Sequence, residues 1–188
     1  EAFARAQLRE TGDFVGRPYT FAVTPADDAL SVRLARDGHV AADGNTAPVR
    51  VEKTLTARPG STALDVAYRV TNRGERPLTA DLAIETSWST TPTASIQAGG
   101  AMHPVRDRAQ VDTHAVTVRD TAWKFEVAIA PAGAASGAAW IVPIEVVSAS
   151  EAGFERTYQG VSVVLVNTLR LPPGESWEGR WTVSVAAL

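Results

Sequence analysis

The stretch LDVAYRVTNRGERPLTADLAI, residues 64–84, sets the reading of the whole chain. Leu64, Val66, Tyr68 and Val70 alternate with Asp65, Ala67, Arg69 and Thr71. After Arg73-Gly74 the alternation resumes at Leu78, Ala80, Leu82 and Ile84. Successive side chains of a strand point to opposite faces, so a period of two marks a half-buried strand. A helix would instead repeat its apolar residues every three to four positions. The segment therefore reads as two strands with turn residues between them.

The same period extends in both directions. Leu30, Val32 and Leu34 form one row, and Trp123, Phe125, Val127 and Ile129 another. Trp140, Val142, Ile144 and Val146 follow, and the last row is Trp177, Trp181, Val183 and Val185. Each row predicts a buried strand face, which places Trp123, Trp140 and Trp181 in the core. Asp37-Gly38, Asp43-Gly44, Pro59-Gly60, Gly99-Gly100 and Pro172-Pro173-Gly174 read as turns. The Ala/Gly-rich residues 132–139 read as a loop. A helix is plausible only over the first ten residues, because Gly12, Gly16 and Pro18 follow closely. The fold class expected is all-β: a large antiparallel two-sheet β-sandwich forming a single domain over residues 1–188.

Composition narrows the function. With 188 residues the chain can bury a sizeable core. Eighteen Lys plus Arg against 21 Asp plus Glu give a formal charge of −3, which lacks the basic footprint of a nucleic-acid binder. The absence of Cys excludes disulfides, thiolate metal sites and cysteine nucleophiles. No apolar run is long enough to span a membrane. EAFARAQLRE at the start lacks the apolar core of a signal peptide. A cytoplasmic setting follows as the expectation, with neither nucleic acid nor membrane as partner. Glu1 in place of an initiating Met points to a piece of a longer polypeptide.

No motif of a reaction centre stands out. His39, His103 and His114 have no metal-ligand spacing, and there is no nucleophile elbow, phosphate loop or dinucleotide fingerprint. No metal and no cofactor is expected, and no catalytic residue is assigned. His114 shares parity with Val116 and Val118, so it reads either as a hydrogen-bonded structural residue or as an acid–base group. In the second case Glu85, on the polar side of its row, is the best partner carboxylate. Five Trp are many for a chain of this size. Aromatic faces stack on sugar rings, and Trp88 and Trp177 sit where their rings could be partly exposed.

The densest polar stretch is residues 148–160, SASEAGFERTYQG, between two apolar strands. It reads as a polar connection, a common place for function. The bland version pairs Arg156 with Glu151 or Glu155 and pins Phe154 into the core.

The longer segment PIEVVSASEAGFERTYQG, residues 143–160, resembles a stretch in the C-terminal domain of glycoside hydrolase family 57 α-amylases and 4-α-glucanotransferases. It departs from that pattern at Val147 and Ala149. LRETGDFVGRPY (8–19), PVRVEKTLTA (48–57) and LRLPPGESWEGRWTV (169–183) are similar to other parts of the same domain, in the same order. The resemblance implies a galactose-mutarotase-like β-sandwich attached to a catalytic (β/α) barrel of the same polypeptide, which carries the nucleophile and general acid. It implies a non-catalytic accessory role, with α-glucan or oligosaccharide as a possible ligand. Glu85, Trp88, Glu151, Arg156, Tyr158 and Gln159 are then the candidate sugar-binding or interdomain residues. Two other readings stand beside it: an independent mutarotase-like enzyme using His114 and Glu85, and a structural sandwich without a ligand.

Overall fold

A computed structural model describes residues 5, 10–42, 44–133, 137–150 and 153–188, with the backbone alone for Ser150. The expected N-terminal helix lies almost wholly outside these residues. The elements are thirteen strands: β1 (Thr20–Ala26), β2 (Ala29–Ala42), β3 (Asn45–Ala57), β4 (Ala63–Asn72), β5 (Leu78–Trp88), β6 (Ser95–Ala98), β7 (Ala101–Pro104), β8 (Ala109–Val111), β9 (Val116–Asp120), β10 (Phe125–Pro131), β11 (Ala138–Ser150), β12 (Gly153–Leu171) and β13 (Ser176–Ala187). One sheet has the order β1-β2-β3-β4-β13-β10-β9-β6-β7, and the other β5-β12-β11-β8. The protein is an all-β, two-sheet antiparallel sandwich, as the period of two indicates.

The chain forms two compact units: residues 1–81 with 168–183, and residues 82–167 with 184–188. In the first unit β2, β3 and β4 pair in continuous register, with Val51 opposite both Arg36 and Val70. Val49, Val51, Val70, Leu78, Leu169, Leu171 and Trp181 form its core. Gly179 is buried between the indoles of Trp177 and Trp181, whose ring centroids are 6.2 Å apart, so an added Cβ would strike both rings. Tyr68 meets Trp181 edge to face. The opposite face carries ion pairs, among them Arg33 with Glu52, Arg50 with Asp37 and Arg69 with Glu178.

One expected turn is not a turn. Asp37-Gly38 lies inside β2, with Gly38 opposite Val49. The backbone of Asp13 crosses here: its N–H donates to the His39 carbonyl at 3.1 Å, and its carboxylate accepts the His39 N–H at 2.7 Å. A side chain at position 38 would collide with Asp13 and Phe14. This glycine allows a close crossing and is not punctuation.

In the second unit Ile96, Val105, Val116, Val118, Val127 and Ile129 are buried, as are Ala139, Ile141, Val161, Val163 and Leu165. Here one row is inverted. Ala139 and Ile141 are fully buried and face Leu165 and Val163, whereas Trp140, Val142 and Ile144 are half-buried and Val146 is exposed. Both faces of β11 are apolar there, so residue size picked the wrong side: the smaller row makes the tighter packing. Residues 160–167 of β12 are buried on both faces, as a central strand flanked by β5 and β11 requires.

Trp123 is also misplaced by parity. It is 59% exposed, because β10 begins only at Phe125 and the indole belongs to the preceding turn.

Candidate functional site

The expected polar connection is not a loop. β11 and β12 remain paired through it, from Ile144 opposite Gly160 out to Ser150 opposite Gly153. Glu151 lies outside the described residues. The register shifts once: Ile144 pairs with Gly160, but Glu145 pairs with Tyr158, which leaves Gln159 as an extra, exposed residue. Such a β-bulge exchanges the faces on which the following side chains emerge. Without it Tyr158 would share the face of Gly160 and Ser162. With it Tyr158, Arg156 and Phe154 share the face of Val161 and Val163.

That face gathers three of the expected residues. The Tyr158 and Thr90 hydroxyls are 2.7 Å apart. Burial raises the Tyr158 phenol above its ordinary pKa and the Asp120 charge adds to this, against the opposing Thr90 hydrogen bond and Arg106. Trp88 is half-buried at the end of β5; its Nε1–H donates to Thr86 Oγ1 at 3.0 Å, and that hydroxyl donates to the Val163 carbonyl. Gly160 lies so close to the Trp88 backbone that a Cβ there would overlap the carbonyl. Arg156 ion-pairs with Glu145 at 3.4 Å across the hairpin. Among the described residues its partner is Glu145 and not the expected Glu155, because strand register brings Glu145 beside it. Phe154 is 84% exposed and does not enter the core. With Val146 and Val147 also exposed, the distal hairpin presents apolar side chains to solvent.

Glu85 is on the other face of the sheet. It is exposed and accepts a 2.7 Å hydrogen bond from the buried Ser162 hydroxyl. The structure thus separates Glu85 from Trp88 and Tyr158.

His114 is 1% exposed, and its Nε2 lies 3.1 Å from the Val166 carbonyl oxygen. An imidazole so enclosed cannot reach a sugar. The pairing of His114 with Glu85 expected for an independent epimerase would thus rest on an imidazole closed off from solvent. Among the described residues no three His, Cys, Asp or Glu cluster to hold a metal ion.

Sequence reading missed Asp120. It is fully buried at the end of β9, and its carboxylate accepts four hydrogen bonds. They come from the Thr91 N–H at 2.6 Å, the Thr91 hydroxyl at 3.1 Å, and the Ala122 and Trp123 N–H groups at 3.0 Å each. Burial would raise its pKa, but these donors outweigh that effect and hold the carboxyl below its ordinary value. An Asp ending an apolar row just before a short turn was the available signal. Also missed was a shallow depression of about 220 Å³ in the first unit, beside Arg33, Glu52, Arg69 and Glu178. Its charges are the ion pairs described above.

The two-sheet antiparallel arrangement matches galactose-mutarotase-like sandwiches. Three solved structures share it. The 4-α-glucanotransferase of Thermococcus litoralis matches all of this chain and 25% of its own, at 23% identity and a TM-score of 0.70. A putative aldose 1-epimerase from Escherichia coli K12 matches 92% of this chain and 69% of its own, at 14% identity and a TM-score of 0.66. A galactose mutarotase-like protein from Clostridium acetobutylicum matches 90% and 67%, at 8% identity and a TM-score of 0.63. No curated protein sequence matches the chain. Residues 1–181 match the alpha-amylase/4-alpha-glucanotransferase C-terminal family, and the chain belongs to that family. It spans a quarter of the length of the Thermococcus glucanotransferase chain.

Proposed function

We propose that residues 1–188 are one accessory β-sandwich domain of a longer α-amylase/4-α-glucanotransferase-like polypeptide, and that this domain is non-catalytic. Its task is to buttress the catalytic barrel, and its distal β11–β12 hairpin is the docking element. The observation that carries this reading is the exposed Phe154, with the exposed Val147 on the same face, on a hairpin whose described residues are paired yet exposed. Large apolar side chains clustered in solvent mark interaction surfaces. Arg156 and Glu145 already satisfy each other there, so burial against a partner would not strand a charge. α-Glucan is the ligand class that family membership favours, with Trp88 and Tyr158 as the polar-aromatic edge nearest the hairpin.

Hydrogen exchange compares the 188-residue chain with the full polypeptide. The amides of residues 145–158 should gain protection in the full polypeptide. Equal exchange in both would end the docking reading.

A further inference from the structure

The exposed indole of Trp123 is held with unusual care. The residue sits in the four-residue connection between β9 and β10, and Asp120 faces Phe125 across its base. The buried Asp120 carboxylate takes the N–H groups of Ala122 and Trp123 and ties the same turn to Thr91. Lys124, next along, has φ = 57°, the one positive φ outside glycine among the described residues. That conformation costs a side-chain-bearing residue free energy, and such costs persist where surroundings impose them. The Leu188 N–H donates to the Lys124 carbonyl at 3.1 Å and fixes the turn from the other side. Phe125 backs the indole, with ring centroids 6.5 Å apart and planes inclined by 33°.

So much fixing serves no burial, since the indole remains mostly in solvent. It does pre-order a flat apolar face, which reduces the entropy lost when a ligand settles on it. Hydroxyls lie on the segment held by the same aspartate: the Thr91 and Thr93 Oγ1 atoms are 3.0 Å apart. The flanking charges Arg119 and Glu126 neutralise each other at 2.6 Å across the two strands. An open aromatic face with hydroxyls on the adjoining segment suits a hydroxyl-rich ring with one apolar side.

We propose that Trp123 is a surface platform on which a pyranose ring of an α-glucan chain stacks, with Thr91 and Thr93 beside it for its hydroxyls. The choice of α-glucan over other sugars rests on the family reading above; the platform itself rests on the geometry.

The test follows the indole N–H resonances of the 188-residue chain by ¹H–¹⁵N NMR, with Trp123→Ala assigning the Trp123 signal. Maltoheptaose and cellohexaose are each titrated into the millimolar range. Maltoheptaose should shift the Trp123 indole saturably. Trp123→Ala should weaken binding by at least about tenfold, as loss of a central aromatic contact does. Trp123→Phe should retain part of the affinity, and Phe21→Ala, which removes an exposed aromatic elsewhere, should retain all of it. Intact near-ultraviolet circular dichroism in Trp123→Ala shows that the fold survives.

Unchanged binding in Trp123→Ala, or no shift with either sugar, overturns the proposal. Self-association of the chain that Trp123→Ala abolishes, without a sugar response, also overturns it and makes the face a self-contact. A response to cellohexaose alone keeps the platform but removes the α-glucan assignment. The hairpin exchange experiment is independent of all these outcomes, so barrel docking and the platform can fail separately.

Discussion

The two halves of β12 are parts of one strand with opposite relations to solvent. Residues 160–167 are buried on both faces and hydrogen-bond to neighbours on both sides. Residues 153–157 are exposed throughout, although they too are paired along β11. Backbone pairing alone therefore says little about where the stability of this strand lies. The inner half belongs to the core. The outer half keeps its shape through its ladder and its Arg156–Glu145 pair, which leaves its apolar side chains available to a partner.

This contrast predicts a graded set of effects, each read by urea unfolding of the 188-residue chain. Ile141→Ala, opposite Val163 in the buried half, should cost about 2–5 kcal/mol, the usual cost of emptying a packed site. A cost below about 1 kcal/mol would show that the inner half is not tightly packed. Next comes the junction. Gly160→Ala should cost about 1–3 kcal/mol, because its Cβ meets the Trp88 carbonyl and strands must part. Faster amide exchange at the end of β5 should accompany it.

Asp120 adds a pH signature. Its folded pKa lies below that of the unfolded chain, so its stabilising contribution is complete above the unfolded value. The contribution is lost as pH falls through the folded value. Asp120→Asn should therefore be less stable than the wild type at neutral pH, and the gap should narrow below about pH 4. A gap that widens with acid would reverse this assignment.

Smaller effects belong to the outer half. Tyr158→Phe, at the border, loses one partly buried hydrogen bond to Thr90 and should cost about 0.5–1.5 kcal/mol. Phe154→Ala should stay within about 0.5 kcal/mol in the 188-residue chain, since the ring is exposed. If Phe154→Ala proved as costly as Ile141→Ala, the comparison between the halves would collapse.

Much of the fold was legible. The rows at 64–70 and 78–84 are strands, and their core-facing members, such as Val70, Leu78 and Ile84, are buried. Alternation works there because one face is apolar and the other polar. It failed in β11, where both faces are apolar and only packing distinguishes Ile141 from Trp140. It failed at Trp123 because a strand boundary, two residues away, decides whether parity applies at all. Gly38 looks like a turn residue in the sequence because a close crossing by residue 13 leaves no local trace.

The candidate residues were legible as a cluster but not as an arrangement. Arg156 and Tyr158 lie on the face of Val161 and Val163 only because the register shift at Gln159 exchanges sides, and Glu85 falls on the opposite face of the sheet. Asp120 takes two of its four hydrogen bonds from its own turn, at Ala122 and Trp123, but the two from Thr91 come from 29 residues away in sequence.

What the sequence by itself determined is the all-β class and the family resemblance. These depend on local alternation and on residue identity, which are printed along the chain. What only the tertiary structure decided is which apolar row is core, where Arg156 finds its charge, that His114 is sealed from solvent, and that Trp123 and Phe154 are exposed. Those outcomes depend on register and on packing between segments far apart in sequence. A shift of one residue turns a side chain from one face to the other.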